Sequence, residues 1–442
     1  MNQPRVVLLI VLLAAASFAQ SEDLMQVYRE AQQSDPVLAG ARATWTATQE
    51  RVPQARAALL PSVSATAATA VNDGRLSVRS SPPAIIEGPY LNAGYTISAS
   101  QPLFRPQNVV ALGQAREQVN QADFVLDSAR QDLIMRVAQA YFDVLLAQFT
   151  VELTESQKAA VSEQLAQAKR NFEVGVSTIT DTNEAQARYD TIGAQEIAAR
   201  NDLDNKRTAL RIIVGRPPGE LRRLGPGFEP TLPEPTNVDA WVQRALDDNF
   251  AVRIARSTFD IATLEVRRAQ AAHLPTLDVV ASWNQNGASG SVASANDTRA
   301  STAIIGLQAA LPIYQGGLVD SRVREATALR ERARQDLETN RRNAMFLAQT
   351  GYAGVASAAA SIKAFEQALV SAQTALESNR LGLEVGVRTT LDVLNVQQTL
   401  FQTRRDLAQA YFNYLVGLLR LKAAAGVLTD VDLEDINRRL EG

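Results

Sequence analysis

The sequence predicts an α+β protein built from two copies of one unit, each combining amphipathic strands with very long helices, and three observations carry that prediction. The 442-residue chain repeats itself at an offset of about 211 residues. Each copy holds a long proline-free tract with helical periodicity, and each holds segments in which apolar residues fall at every second position.

The first element is a leader. MNQPRVVLLIVLLAAASFAQSED carries Arg5, an apolar run from Val6 to Ala16 and a small-residue site at Ser17-Phe18-Ala19, which predicts a secretory signal over 1–19 cleaved near Ala19. The run is shorter than the ~20 apolar residues a spanning helix needs. No cysteine follows it to accept a lipid. No later window approaches ~18 consecutive apolar residues, so membrane entry by the rest of the chain falls to strands. Losing Arg5 takes the formal charge from −3 to −4. Both signs are spread along the chain, and no basic stripe points to nucleic acid. With no cysteine and one histidine, thiol nucleophiles, disulfides, Cys/His zinc sites and His-dependent triads are excluded together. No nucleophile/base constellation or phosphate-binding glycine loop recommends an enzyme, and no cofactor is implied.

The repeat fixes the organisation. ARAALLPSV (55–63) corresponds to AQAAHLPTL (269–277), QPLF (101–104) to LPIY (311–314), Ala140-Tyr141 to Gly351-Tyr352, FEVGVSTITD (172–181) to LEVGVRTTLD (383–392), and Gly215 to Gly426. Five colinear matches indicate a duplication. The first repeat is read as 20–215 and the second as 238–428, followed by a tail over 429–442. Between the repeats, 216–237 is a linker whose six prolines cannot lie inside a helix.

Within each repeat the strands come first. LNAGYTISAS (91–100) alternates Leu91, Ala93, Tyr95, Ile97 and Ala99 with mostly polar residues; TLDVVASWN (276–284), STAIIGLQAAL (301–311) and, more weakly, PSVSATAATAV (61–71) do the same. Each is close to the ~9 to 11 residues of a tilted transmembrane strand. Residues 72–90 and 284–300, polar and rich in Gly, Ser and Pro, read as exposed loops. The long helices follow, from about Gln107 to Phe172 and from about Gly317 to Arg380, the first roughly 100 Å long at ~1.5 Å per residue. Val161, Leu165, Ala168 and Phe172 step by 4, 3 and 4, the spacing of a coiled coil. A glycine turn ends each helix: Val174-Gly175-Val176, with the tip near 172–178, and Val385-Gly386-Val387, with the tip near 383–389. Thr178 and Thr389 then stand as N-caps of returning helices. Each repeat therefore holds a long helical hairpin.

Four strands cannot close a barrel, whose usual minimum is about eight, and an open sheet in lipid leaves backbone groups unpaired. Either several chains share one barrel, or the strands form a water-soluble sheet and the protein is a periplasmic coiled-coil scaffold or adaptor.

The chain resembles the TolC family of bacterial outer-membrane channels, in its TolC-type subgroup. The segments that carry the resemblance are EDLMQVYREAQQSDP (22–36), AHLPTLDV (272–279), LPIYQGGLV (311–319), NFEVGVSTITDTNEAQARYDT (171–191) and EVGVRTTLDVLNVQQTLFQTRRDLAQAYFNYL (384–415). It implies a homotrimer in outer-membrane lipid, with a twelve-stranded barrel fed by four strands per chain and a periplasmic tunnel of twelve long helices. The function implied is export, by type I protein secretion or multidrug efflux. It also implies partners: a periplasmic adaptor docked on Val174, Gly175, Val176, Val385, Gly386 and Val387, and beyond it an inner-membrane pump or ABC exporter. The implied constriction uses links among Thr180, Asp181 and Arg388, and acidic rings at Asp392 and at the position of Asn395. Here the second ring is neutral, and Leu383 stands where the family pattern has a tyrosine. On spacing alone, Arg388, Asp392 and Asn395 share one helix face and make at most an ion pair of ~0.3 to 0.5 kcal/mol.

Overall fold

The computed structural model describes residues 21–79, 84–225, 229–291 and 294–440. The expected leader, 1–19, lies outside them. In chain order the elements are α1 (Leu24–Ser34), α2 (Pro36–Gln49), α3 (Arg51–Ala57), β1 (Ser62–Val78), β2 (Ala84–Phe104), α4 (Pro106–Glu173) and α5 (Ile179–Val214), then α6 (Val238–Asp248), α7 (Phe250–Gln270), β3 (Thr276–Ser291), β4 (Ser294–Ala310), α8 (Leu318–Glu384) and α9 (Thr390–Ala424), closed by α10 (Asp430–Arg438). Helices, two strands and a long helical hairpin thus occur twice. Among the described residues no helix is long and apolar enough to cross a membrane. The chain divides into two compact units, one of residues 41–127 and 250–343, the other of the residues up to 40, 128–249 and 344 onward.

The first unit holds one antiparallel sheet in the order β1-β2-β3-β4. Its register aligns Val63, Ala99, Ala281 and Ile305 in one row and Ala65, Ile97, Trp283 and Ala303 in the next. Because side chains alternate across a strand, the period-two apolar sets of all four strands share one face. That face is uncovered: Val63 is 72% exposed, Leu307 70% and Ile305 81%. Tyr95 and Trp283 meet on it edge to face, with ring centroids 5.4 Å apart. The opposite face is mostly polar, Val280 and Ile304 excepted. There the Ser64 and Ser98 hydroxyls lie 3.0 Å apart, and the Asn284 amide donates to the Thr96 hydroxyl at 2.9 Å. Among the described residues, β1 and β4 each have a partner on one side only. An apolar outer face, a polar inner face and two open edges suit a segment of a barrel wall.

This arrangement makes a paired prediction. Ile305→Arg puts a charge on the apolar face, at a cost of up to ~2–4 kcal/mol in mid-bilayer, and should deplete heat-modifiable oligomer from outer-membrane fractions. Ile304→Arg, one residue away on the other face, should assemble normally. Equal assembly of the two variants would show that the apolar face does not meet lipid.

The expected loops over 72–90 and 284–300 are corrected by the structure. Pairing continues through the described residues there, from Asn72 opposite Tyr90 to Val78 opposite Ala84, and from Asn284 opposite Thr302 to Ser289 opposite Asp297. Polar residues, glycines and Pro89 interrupt the period-two alternation that marked the rest of each strand, while the backbone ladder persists. Pro89 is accommodated because β2 pairs with β3 only from Asn92 onward.

The second unit is helical. Leu394 of α9 joins Val161, Leu165 and Ala168 of α4 and Ala185 and Ile192 of α5 in one apolar cluster. Ala372 and Leu376 of α8 form another with Val393 and Leu400, against which Leu383 packs. Phe172, expected on the first of these seams, is 43% exposed. The proline-rich linker is tied down by tyrosines. The Tyr141 hydroxyl donates to the carbonyls of Arg222 at 3.0 Å and Glu22 at 3.1 Å, Tyr352 donates to Thr236, and Tyr414 donates to Thr231 at 2.6 Å. The expected tail is ordered too: α10 buries Leu433 and Ile436.

Candidate functional site

The candidate site is the pair of hairpin tips, built by the same local rules twice. α4 ends when Gly175 adopts φ +77, and α8 ends when Gly386 adopts φ +80. In the first tip the Val176 N–H donates to the Asn171 carbonyl at 2.9 Å and the Gly175 N–H to the Phe172 carbonyl at 3.0 Å. In the second, Val387 donates to Gly382 at 2.9 Å and Gly386 to Leu383 at 3.1 Å. These are the two bonds of a Schellman turn, which needs a left-handed residue and therefore favours glycine. A β-carbon at either glycine would meet nothing within 4 Å, so conformation rather than crowding selects it.

Each returning helix opens with a capping box. Thr178 Oγ1 accepts from the Asp181 N–H at 3.3 Å, and the Asp181 carboxylate accepts from the Thr178 N–H at 3.0 Å and the Ser177 hydroxyl at 2.9 Å. Thr389 and Asp392 do the same, at 3.1 and 3.0 Å. The Thr178 N–H is the main cause that holds the Asp181 carboxyl below the usual aspartate range. The Thr389 N–H and then its hydroxyl act likewise on Asp392, helped last by the charge of Arg388. Both aspartates satisfy helix-end donors and remain ionised while doing so.

The outer surface of the tips is apolar and bare. Val174, Val176, Val385 and Val387 are 65–75% exposed. Thr180 is exposed on the first turn of α5 and Asn395 on the second turn of α9. The stem of Arg388 lies against Gly382, its Cγ 2.6 Å from where a β-carbon there would sit. Among the described residues, Arg388 makes no ion pair with Asp181 or Asp392 within the chain. A polar contact between α5 and α9 is one that sequence reasoning missed: Arg188 donates to Asn395 Oδ1 at 2.9 Å and to Gln398 Oε1. One signal could have pointed to it, since Arg188 follows Asp181 by seven residues, about two turns, and so lies on the same helix face.

A family model described as outer membrane efflux protein matches residues 27–216 and 241–427 of this chain. The chain belongs to the outer membrane efflux protein family. The outer membrane protein TolC of Vibrio cholerae is 33% identical over 427 residues, which are 96% of this chain and 95% of that protein. The alkaline protease secretion protein AprF of Pseudomonas aeruginosa is 36% identical over 344 residues, 77% of this chain and 70% of that protein. Among solved structures, the outer membrane protein VceC of Vibrio cholerae matches with a TM-score of 0.75 at 20% identity, covering 91% of this chain and 96% of that one. The fold is that of solved outer-membrane channels, with one four-stranded antiparallel sheet and two long helical hairpins in the chain. This efflux-family chain is an outer-membrane export channel with a periplasmic extension, in a family of channels rather than enzymes that work with adaptor and pump partners.

Proposed function

We propose that the hairpin tips of this outer-membrane channel form its periplasmic entrance and dock on a periplasmic adaptor that joins it to an inner-membrane pump or ABC exporter. The observation that carries this reading is the duplicated tip, in which one turn and one capping box hold exposed valines outward and an ionised carboxylate one turn in, at fixed positions. Apolar side chains this bare gain by leaving water against a partner. Three chains form the trimer, the partners supply the energy, and no cofactor takes part. The name of the secretion relative favours protein as one cargo and the family description favours efflux as another, with a single conduit serving both.

Thr180, Asp181, Arg388, Asp392 and Asn395 form the constriction in this reading. Three Asp392 carboxylates converging where water is confined concentrate cations and favour their passage. Within each chain the capping bonds from Thr389 hold the Asp392 carboxyl below its ordinary value of 3.8, which favours its charged form. Single-channel recording in planar bilayers tests the assignment. Asp392→Asn should lower the cation-to-anion permeability ratio about threefold, and Arg388→Ser should raise conductance by loosening the closed state. Conductance and selectivity unchanged in both variants would place these residues on a solvated outer face.

A further inference from the structure

The position of Asn395 is neutral, but its surroundings are not. Arg188 reaches across from α5 and rests on two amide oxygens, Asn395 Oδ1 and Gln398 Oε1. Both acceptors are uncharged. They fix the guanidinium and leave its charge intact, whereas a carboxylate in the same place would neutralise it. Among the described residues no carboxylate forms an ion pair with Arg188, Glu184 one turn back on α5 included. The packing below holds this geometry, because Leu394, the neighbour of Asn395, is buried in the cluster that contains Ala185 and Ile192 of α5. Arg188 lies between these two residues, half-buried, with Asn395 exposed beside it.

We propose that Arg188 is a charge-selecting residue of the channel: it makes the level of Asn395 a cationic ring that binds multivalent anions, one turn from the acidic level of Asp392. The proposal rests on the constriction reading above, which brings three copies of this face together. Per chain the constriction then carries Asp181 and Asp392 against Arg188 and Arg388, two negative and two positive groups, so it is balanced overall and polarised by level. A solute crossing it meets both signs in sequence. Such a filter discriminates by charge distribution and not by net charge alone.

A consequence concerns Asn395→Asp. Where only Asp392 is considered, this change should add a second acidic ring and strengthen cation block. With Arg188 2.9 Å from the side-chain oxygen, the new carboxylate pairs with the guanidinium instead. Its main effect is then to silence the cationic ring.

The test is single-channel recording of the trimer, with hexacyanoferrate(II) as the multivalent anion probe and hexaamminecobalt(III) as the cation probe. In the native channel hexacyanoferrate should block from the periplasmic side. Arg188→Gln should raise the blocking concentration at least fivefold and increase the cation-to-anion permeability ratio, and Asn395→Asp should weaken anion block by a similar factor with Arg188 in place. Arg188→Lys keeps the charge and loses the forked contact. It should retain most of the anion block, whereas a purely structural bridge would make the lysine variant behave like the glutamine one. Asp392→Asn separates the two readings. If it shifts selectivity while Arg188→Gln leaves anion block unchanged, the constriction stands and the cationic ring is wrong; if neither variant changes anything, both fall.

Discussion

Arg136→Met is expected to destabilise the helical unit by about 3–5 kcal/mol, the range for stranding one member of a buried ion pair. Asp35, between α1 and α2, is the member left behind; its side chain is 2% exposed. One oxygen accepts from Arg136 Nη1 at 2.9 Å, and the other from Nη2 at 2.9 Å and from the Leu38 N–H at 2.8 Å. The fork matches the carboxylate geometrically, and Asp132 braces Arg136 from the far side at 2.7 Å. Without the guanidinium, Asp35 must stay charged in an apolar site or take up a proton. At roughly 2–4 °C per kcal/mol for a unit of this size, the far-UV melting temperature at fixed scan rate should fall by about 6–20 °C. Adding Asp35→Asn, which still accepts from Leu38 and needs no cation, should recover most of the loss. A melt within about 2 °C of the native protein, or no recovery in the double variant, would show that the pair is incidental.

The same pair sets an acid limit. The hydrogen bonds from Arg136 hold the Asp35 carboxyl below its ordinary value of 3.8. A group whose folded pKa is depressed contributes stability above its unfolded value and loses it as pH falls through the folded one. Its contribution is therefore constant at neutral pH and disappears only below about pH 4.

The partners in the Asp35 pair and the Arg188 contact were not legible in the chain, although spacing placed Arg188 on the face of Asp181, and the reason is common to both. Asp35 and Arg136 are 101 residues apart, and Arg188 and Asn395 are 207 apart. No local period connects such positions; only the packing of the helices does. The tips were legible for the opposite reason. A glycine that must be left-handed, followed by a threonine cap and an acidic residue three positions on, is a complete local instruction, and the chain states it twice. The strands lie between these cases. Where one face is apolar and the other polar, period two named them, and the register then put the four apolar sets on one side. Past Val71 polar residues, glycines and Pro89 break the alternation, and the signal vanishes although the ladder does not. Tyr141 and Tyr352 were recognisable as counterparts in the two repeats, but their shared task of anchoring the linker rests on carbonyls that no side-chain pattern announces.

Gly386→Val should abolish most export while leaving the trimer assembled. At φ +80 an L residue costs ~1–2 kcal/mol, and a β-branched one more. Valine relieves that strain by leaving the left-handed region, which breaks the bonds from Val387 to Gly382 and from Gly386 to Leu383. The tip then re-forms with Val385 and Val387 facing new directions. A β-carbon there meets no atom within 4 Å, so the damage stays in the turn and does not spread by collision into the cluster of Ala372, Leu376, Val393 and Leu400. A penalty of about 1.4 kcal/mol or more on the docking-competent tip corresponds to a tenfold or larger loss. Gly386→Asn is the control, because asparagine tolerates the left-handed region and should preserve the turn and most of the export. Export is measured with both variants in intact cells, together with site-specific crosslinking from Val387 to the adaptor and heat-modifiability of the trimer. Native levels of export and crosslinking in Gly386→Val would remove the tips from the docking interface, and loss of trimer in that variant would show that the turn serves assembly instead.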